Sequence, residues 1–283
     1  MRKYELTGET LTPWLGMTLH RIRAIRDIPR HCVREGDLGG WIGSENNLSH
    51  DGDAWAFENT WTLGEAQVLG NARIDGNARV YGRTLVYGDT QIDGDARVFG
   101  DARVYDCARV SGNSRVSGDS RVFGNAHVYD DAQVFDYARV FGNAEVFDYA
   151  RIFDYARVSG RANVFDYGGA SGHVCVYGDA QVHGDVLIPG YAQVFGNAQI
   201  SEYDRVLTAT IYTTQPLHAT AFFQKDGSWH VRVECWSGTI PELRALAESD
   251  QWVDTPPDEV NEARPELLAF VALCEARAAR TAL

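Results

Sequence analysis

The chain has 283 residues, of which 45% are apolar, and a formal net charge of −13 at pH 7. This length suffices for two or three small domains, and the apolar content is that of a folded protein rather than a disordered one. Segments 1–53, 54–205 and 206–283 are each acidic, which argues against general binding to nucleic-acid phosphates. No apolar run is long enough to span a membrane, and MRKYELTGET lacks the apolar stretch of a signal peptide. We therefore expect a cytoplasmic protein with no membrane partner.

The five cysteines do not form a recognisable framework. They are odd in number, scattered, and contain no CxxC pair: Cys32, Cys107, Cys175, Cys235 and Cys274. This pattern argues against a disulfide network and against a zinc site.

Residues 1–53 are predicted to form an N-terminal β cap. YEL (4–6) and LHRIRAI (19–25) alternate in character as strands do. The open end of a repetitive sheet has to be covered, because exposed edges recruit other strands. We expect Trp41, Trp55 and Trp61 to plug that end.

The central segment, 54–206, is built from hexads. A Val or Ile recurs every six residues from Val68 to Val206, with Ala170 as the exception among 24 positions. A small residue, usually Ala and sometimes Ser or Thr, lies two positions before nearly all of these anchors, so both side chains point into the core of a short strand. Two positions after the anchor, from Gly70 to Gly196, every residue is Gly or Asp, 16 and 6 times. These residue types predict a corner with positive φ.

This six-residue spacing resembles the hexapeptide repeat of the left-handed parallel β-helix. Three hexads would form one turn of a triangular prism, with turns about 4.8 Å apart. The resemblance implies a mostly β protein of about eight coils, roughly 40 Å long at that spacing.

Sorting the hexads into three faces predicts vertical rows of side chains. The first face carries Arg103, Arg121, Arg139 and Arg157 before the anchors, and Tyr87, Tyr105, Phe123, Phe141, Tyr177 and Phe195 after them. The third face carries Arg79, Arg97, Arg115 and Arg151, with Tyr81, Phe99, Phe135 and Phe153. The second face begins with Asp75 and Asp93 and continues with Tyr129, Phe147 and Phe165, beside a corner line of Asp130, Asp148 and Asp166.

Two interpretations of these rows remain open. Stacked rings would stabilise neighbouring turns, while corner aspartates would balance the arginines. Alternatively, repeated arginines and rings form a recognition surface. Under the second hypothesis the partner-binding residues are Arg103, Arg121, Arg139, Arg157, Tyr105, Phe123 and Phe141.

Residues 207–283 are predicted to form a small α+β module. Three strands are expected in VLTATIYTT, HATAFFQ and WHVRVECW, with a hairpin turn at 225–227. Thr239 and Glu242 form a capping box that predicts a helix through Ala247. After the Pro-Pro at 256–257, ELLAFVALCEARAAR is a second, amphipathic helix, in which Leu267, Phe270 and Leu273 are expected in the core.

Two further stretches carry resemblances. TLHRIRAIRDI followed by GDLGGWIGSENNLSHDGDAW resembles the start of bacterial and prophage hexapeptide-repeat proteins, whose runs include GNARV and GDARV. The CWSGT turn is similar, more distantly, to C-terminal segments of some phage proteins. These resemblances imply a phage or prophage setting rather than a reaction.

The resemblance to left-handed β-helices also implies an enzymatic alternative, because enzymes with that fold are often acyltransferases in which a histidine is the general base. His127, His173 and His183 are the candidates, but no carboxylate motif accompanies His127 or His183, and no insertion interrupts the hexads to shape a pocket. Motifs for phosphate loops, zinc peptidases and serine hydrolases are absent, and one corner Asp per hexad supplies too few oxygens for calcium. We therefore predict no catalytic residue, metal or cofactor.

Three classes of function remain: a structural or protein-interaction protein, a phage counter-defence factor that binds a host protein or nucleotide signal, and an acyltransferase. Arginine rows on two faces disfavour face-to-face packing. We expect a homo-oligomer, a dimer or trimer, joined mainly through the C-terminal module, with contacts at Phe147, Phe165, Trp236 and Phe270.

Overall fold

The computed structural model describes residues 2–13, 16–57, 59–212, 216–249 and 257–281. Its centre is a three-sided parallel β-helix built from two-residue strands, which we call rungs. The predicted β-helix is confirmed, whereas its left-handed sense stays a prediction. Neither helix in the described ranges has the length and apolar character needed to cross a membrane.

The rungs form three sheets, one for each predicted face. The first face contains Gln67–Val68, Leu85–Val86, Arg103–Val104, Arg121–Val122, Arg139–Val140, Arg157–Val158, Cys175–Val176 and Gln193–Val194. The second face contains Trp55–Ala56, Arg73–Ile74, Gln91–Ile92, Arg109–Val110, His127–Val128, Glu145–Val146, Asn163–Val164, Gln181–Val182 and Gln199–Ile200. The third face contains Trp61–Thr62, Arg79–Val80, Arg97–Val98, Arg115–Val116, Gln133–Val134, Arg151–Ile152, Gly169–Ala170 and Leu187–Ile188.

Each rung pairs with the residue 18 positions later in the chain, so identical hexad positions stack in columns. The anchors and the small residues before them are buried and form one continuous core along the rod. The 25 rungs, three to a turn, make between eight and nine turns, and the first rung is Trp55–Ala56.

The corners have the predicted backbone. All 16 glycines and all six aspartates of the corner column have positive φ, for example 73° at Gly142 and 55° at Asp154. At Gly142 a Cβ atom would lie 3.0 Å from the backbone nitrogen of Gly160 in the next turn. Glycine at that corner therefore serves both the left-handed conformation and the close approach of two turns.

The last rung is Gln199–Ile200, so the predicted end of the repeat at Val206 is one hexad too late. Val206 instead starts the C-terminal sheet, after a short 3₁₀ helix at Tyr203–Arg205. The sequence explains the change, because Glu202 replaces the corner Gly or Asp and Asp204 replaces the small inward residue.

The N-terminal end is closed by antiparallel strands. Tyr4–Leu11 pairs with Leu19–Ala24, which pairs with Leu38–Ile42, and the latter continues the third sheet in parallel with Trp61–Thr62. Short 3₁₀ helices lie at Pro29–His31 and Glu45–Asn47. The buried Asn47 amide donates to the carbonyls of Gly64, at 3.0 Å, and Ala66, at 2.8 Å, which satisfies acceptors at the open edge.

Of the three tryptophans predicted to plug the end of the prism, only Trp55 is buried, and it lies in the outward position of its rung, in register with Arg73. Trp55 is buried beneath the N-terminal strands, against the ring of Tyr4. Trp41 and Trp61 are register partners in the outward position, where Arg21 and Arg79 lie over their rings at 5.3 Å and 4.2 Å. The prediction that the three tryptophans plug the interior of the prism is wrong, because each precedes an anchor and that position points outward.

The C-terminal module has four antiparallel strands rather than three: Val206–Ile211, Leu217–Phe223, Trp229–Val233 and Trp236–Gly238. The segment WHVRVECW is split by a turn in which Glu234 has a φ of 49°. Helix α1 spans Ile240–Glu248 with the predicted capping box, and α2 spans Pro257–Thr281. Helix α2 therefore begins nine residues before the predicted Glu266, with Pro265 inside it.

The module covers the second end of the rod through its central strand. Phe222 is fully buried in the core of the rod, and the Gln193 N–H donates to Thr220 Oγ1 at 3.1 Å. The Lys225 N–H donates to the carbonyl of Asn197 at 3.1 Å. The two helices pack on the sheet around Leu267 and Phe270, which are buried as predicted, whereas Leu273 is 49% exposed.

Candidate recognition surface

Four arginines stack on the first face and are called the arginine ladder here: Arg103, Arg121, Arg139 and Arg157. They are direct register partners in consecutive rungs. Each precedes a buried valine, and because side chains alternate along a strand, all four point outward. The column continues with Cys175, whose thiol pKa is raised first by burial and lowered in part by Arg157.

The arginine ladder has no ion pair and no side-chain hydrogen bond within the described residues, by the usual limit of 4.0 Å for an ion pair. Several other arginines of the rod are engaged, although Arg97 and Arg115 on the third face form no ion pair among the described residues either. Arg83 pairs with Asp101 at 2.5 Å and Arg161 with Asp179 at 2.6 Å. On the third face, Arg151 lies over the rings of Phe135 and Phe153. Four adjacent like charges without counter-ions are a cost to folding.

The corner aspartates form no ion pair with the arginine ladder within the described residues, whereas the predicted stacking of rings between turns is present on the first face. Four of the six corner carboxylates accept N–H groups of the next turn instead. Asp154 accepts from Gly172 at 3.0 Å, and Asp106, Asp148 and Asp166 accept from Gly124, Asp166 and Gly184 at 3.2 Å. A corner Asp therefore replaces glycine in conformation and adds a hydrogen bond between turns.

Beside the arginine ladder runs a second column that we call the ring stack: Tyr137, Tyr155, His173, Tyr191 and His218. Its successive ring centroids are 4.9, 4.8, 4.9 and 3.9 Å apart, with planes within 8° of parallel. The three tyrosines are about half exposed, and the stack passes from the rod onto the C-terminal sheet at His218. We did not predict this column. Its signal is the Tyr after the corner in the FDY hexads.

Stacking determines which part of each ring a partner can reach. Every ring inside the stack has both faces covered by its neighbours, so only ring edges and phenol oxygens are available. Ring edges carry the positive part of the aromatic quadrupole, and phenols can donate hydrogen bonds. The ring stack and the arginine ladder therefore favour the same kind of partner, an anionic one.

A groove of about 290 Å³ lies between the two columns, lined by Arg103, Arg121, Arg139 and Arg157 on one side and Asp101, Asp119, Tyr137, Tyr155 and His173 on the other. The carboxylates lie towards its N-terminal end. The part around Arg139 and Arg157 is lined by tyrosine and histidine, without a carboxylate among these lining residues. The groove is thus cationic at its C-terminal end.

The predicted aromatic residues lie on the other flank of the arginine ladder. Tyr87, Tyr105, Phe123 and Phe141 stack at 4.9 to 5.0 Å, and Ser159 then interrupts the column. Burial, and then the neighbouring Tyr87, raises the pKa of Tyr105. Tyr105 is therefore a neutral phenol at pH 7. The structure brings all seven predicted partner-binding residues onto one face.

The candidate histidines occupy ordinary column positions. His127 lies in register between Arg109 and Glu145, and His173 is inside the ring stack. His183 stacks on Phe165 at 4.7 Å, and its Nδ1 is 3.8 Å from Asp166 Oδ2, too long for a hydrogen bond. Carboxylates thus lie near His127 and His183 from adjacent turns, which a search for local motifs did not predict.

The predicted oligomer contacts are dispersed. Phe147 and Phe165 are half-buried and stack at 5.0 Å on the second face, while Trp236 is half-buried at the edge of the C-terminal sheet. Phe270 is 4% exposed within the module core. Contrary to the predicted contact, its side chain is not available at the surface.

The described residues contain no group of three or more His, Cys, Asp or Glu side chains placed to hold a metal ion. All five cysteines are free thiols. Neither a protein-family model nor a curated protein sequence matches the chain.

Proposed function

We propose that this chain is a non-enzymatic binding protein in which the β-helix displays the arginine ladder and its flanking rings to a partner protein. The observation that carries the proposal is a ladder of four stacked arginines that form no ion pair within the described residues. Such an arrangement is unfavourable in the isolated chain and becomes favourable when an anionic surface covers it. The resemblance of the N-terminal segment supports a phage or prophage protein acting in a bacterial cytoplasm, including a counter-defence factor directed at a host protein.

A capture experiment tests this function. Tagged wild-type protein and the double variant Arg121→Ala/Arg139→Ala are incubated with lysate of the native host, and bound proteins are quantified by mass spectrometry. A matched control is Arg97→Ala/Arg115→Ala, which removes two exposed arginines at the same hexad position on the third face. We expect a protein captured by the wild type and the control and lost from the ladder variant. Capture that is indifferent to both variants would contradict the proposal.

The acyltransferase alternative makes a different prediction. A histidine base needs a hydrogen-bonded partner and a shaped site, and His183 and Asp166 are 3.8 Å apart. We expect no thiol release from coenzyme A thioesters above background. Release that is abolished by His127→Ala or His183→Ala would favour the enzyme.

We also propose self-association through the C-terminal module. Val206–Ile211 and Trp236–Gly238 are the two edge strands of its sheet, and edge strands offer unpaired backbone groups. Thr208 and Ser237 are exposed on these edges. Light scattering should give a dimer or trimer for the wild type and a smaller mass for Thr208→Lys/Ser237→Lys, because edge lysines oppose pairing. An unchanged mass would place the contact elsewhere.

A further inference from the structure

The shape and spacing of the arginine ladder indicate what kind of partner segment fits it, an inference that rests on the proposed function. We propose that the groove beside the ladder binds an amphipathic α-helix of a partner protein, with a row of carboxylates on the arginines and an apolar stripe against the ring stack.

The spacing of the arginines in the ladder matches the spacing of residues along one side of an α-helix. Successive turns are 4.9 Å apart, as the ring centroids show, so four arginines span about 15 Å. Acidic residues at i, i+4, i+7 and i+11 of a helix recur about every 5.4 Å and span about 16 Å. Same-side residues of an extended strand recur about every 6.7 Å and span about 20 Å. A helix therefore keeps its charges opposite all four arginines, whereas a strand loses register.

The flank of the arginine ladder differs in chemistry from the ladder itself. The ring stack offers edges and phenol groups beside Arg139 and Arg157, and its tyrosines are about half exposed. An apolar stripe next to the acidic row of a helix would cover the exposed hydrocarbon surface of these rings, while carboxylates at the border of the stripe accept hydrogen bonds from the phenols. The same flank argues against single-stranded nucleic acid, because bases bind to open ring faces and the rings inside the stack have both faces occupied.

The net charge of the whole molecule also affects which partner can bind. The net charge of −13 repels a densely charged polymer at long range. A helix carrying four carboxylates on one side experiences far less of this repulsion, and it meets the cationic end of the groove at Arg139 and Arg157. Binding should nevertheless weaken with salt, since the arginines are exposed or only half-buried.

The test uses the full chain and two fluorescent 18-residue peptides of identical composition. One peptide carries glutamate at i, i+4, i+7 and i+11 with leucines on the adjacent stripe. In the other the glutamates are five residues apart, so that they spiral around the helix. Fluorescence anisotropy is measured at low and moderate salt, with a 20-residue oligothymidine and a sulfated polysaccharide as further probes.

We expect the aligned peptide to bind at least tenfold more tightly than the spiral one. Arg139→Ala/Arg157→Ala should reduce its affinity about tenfold, because two exposed charge pairs are removed. The third-face control Arg97→Ala/Arg115→Ala should stay within twofold of the wild type.

Equal affinity for the two peptides would overturn the inference, because charge alone would then explain binding. Tighter binding of oligothymidine or of the sulfated polysaccharide would overturn it in favour of that polymer. If neither peptide binds while capture from lysate still depends on Arg121 and Arg139, the helix is wrong and the binding function stands. If capture is also indifferent to the arginine ladder, both fail.

Discussion

Lys3, in the N-terminal cap, is a buried charged residue that the hexad pattern does not predict. Lys3 is fully buried beneath the N-terminal cap, and its Nζ donates to the carbonyl of Gly52 at 3.2 Å. Burial lowers the pKa of Lys3 from 10.5 to about 8, although the nearby carboxylate of Asp53 acts in the opposite direction. Around neutral pH the cap therefore contains a buried ammonium group.

The stability of the cap should depend on this ammonium group in a defined pH window. The pKa is lower in the folded chain than in the unfolded one, so the unfolded state binds more protons between about pH 8 and 10.5. The unfavourable contribution of Lys3 is complete below pH 8 and disappears as pH rises through that window. Relative to Lys3→Met, the wild type should gain about 2 kcal/mol of unfolding free energy from pH 7 to 10.

Urea unfolding of both proteins at pH 7, 8.5 and 10 measures this difference. Subtracting the variant cancels the tyrosines and cysteines that titrate in the same range. A difference that stays constant with pH would show that Lys3 keeps its ordinary pKa in the folded chain.

A second residue-scale prediction concerns the corners. Asp154 combines a φ of 55° with a hydrogen bond from the Gly172 N–H at 3.0 Å. Asp154→Ala keeps the left-handed strain and removes the acceptor, so we expect a loss of about 1–3 kcal/mol of unfolding free energy. Asp154→Gly removes the acceptor and the strain together, and it should lose clearly less. Thermal and urea unfolding of the pair decide this, and equal losses would mean that the backbone at this corner is not strained.

Among the elements, the rungs of the first face show a tension between stability and recognition. The arginine ladder lies over a fully buried valine column, so the arginines are not needed to fill the core. A surface selected for folding alone would alternate charges between rungs, as opposite charges on adjacent strands stabilise a sheet. The arginine ladder is therefore expected to reduce stability in the free protein.

Replacing the two central arginines should reveal that cost. Arg121→Gln/Arg139→Gln relieves like-charge contacts between exposed or half-buried side chains. We expect the unfolding free energy to rise by about 0.2–1 kcal/mol at low salt and the gain to shrink at 0.5 M salt. Arg161→Gln, which breaks the pair with Asp179, is the matched control and should not gain. Loss of stability in the ladder variant would mean that the arginines support the fold.

The elements also show how far the sequence could predict the structure. Position in the hexad sufficed for the faces, the buried anchors and the corner φ values, because each follows from local geometry repeated without interruption. The structure of the two ends of the rod was harder to predict from the sequence. Val206 fits the hexad period but belongs to another sheet, and Trp41 and Trp61 are large apolar residues that lie outside the core. Which element covers an end is a tertiary property.

The candidate site could be predicted only in part for a similar reason. Residues 18 positions apart stack in one column, so the columns can be read from the sequence. The seven predicted partner-binding residues therefore do share one face. The sequence does not predict whether the arginine ladder forms ion pairs. This depends on whether Asp154 and the other corner aspartates accept hydrogen bonds from arginines or from the backbone N–H of the next turn. The ring stack was missed because its members come from FDY, GHV and GYA hexads, which look dissimilar along the chain.

At the scale of the whole molecule, the rod is closed at both ends. Phe222 is buried at the C-terminal end, and Asn47 and Trp55 are buried at the N-terminal end. Ending the chain at Ser201 would uncover the core and the last rungs. We expect such a chain to form particles whose mass in light scattering grows with concentration, because open edges pair with other edges. The full chain should keep one mass over the same range. A truncated chain of constant mass would show that the uncovered end is tolerated.

The strict register also limits how this molecule can evolve. Inserting one hexad would rotate all later residues by a third of a turn. The arginines after the insertion would then lie on another face. The C-terminal strands would no longer align with the final rungs. Inserting eighteen residues, for instance a second copy of 137–154, preserves every face and lengthens the row of arginines by one. The recognition surface can thus lengthen or shorten by duplication or deletion of whole 18-residue turns, which leaves both caps unchanged. Each such turn adds or removes one arginine of the ladder.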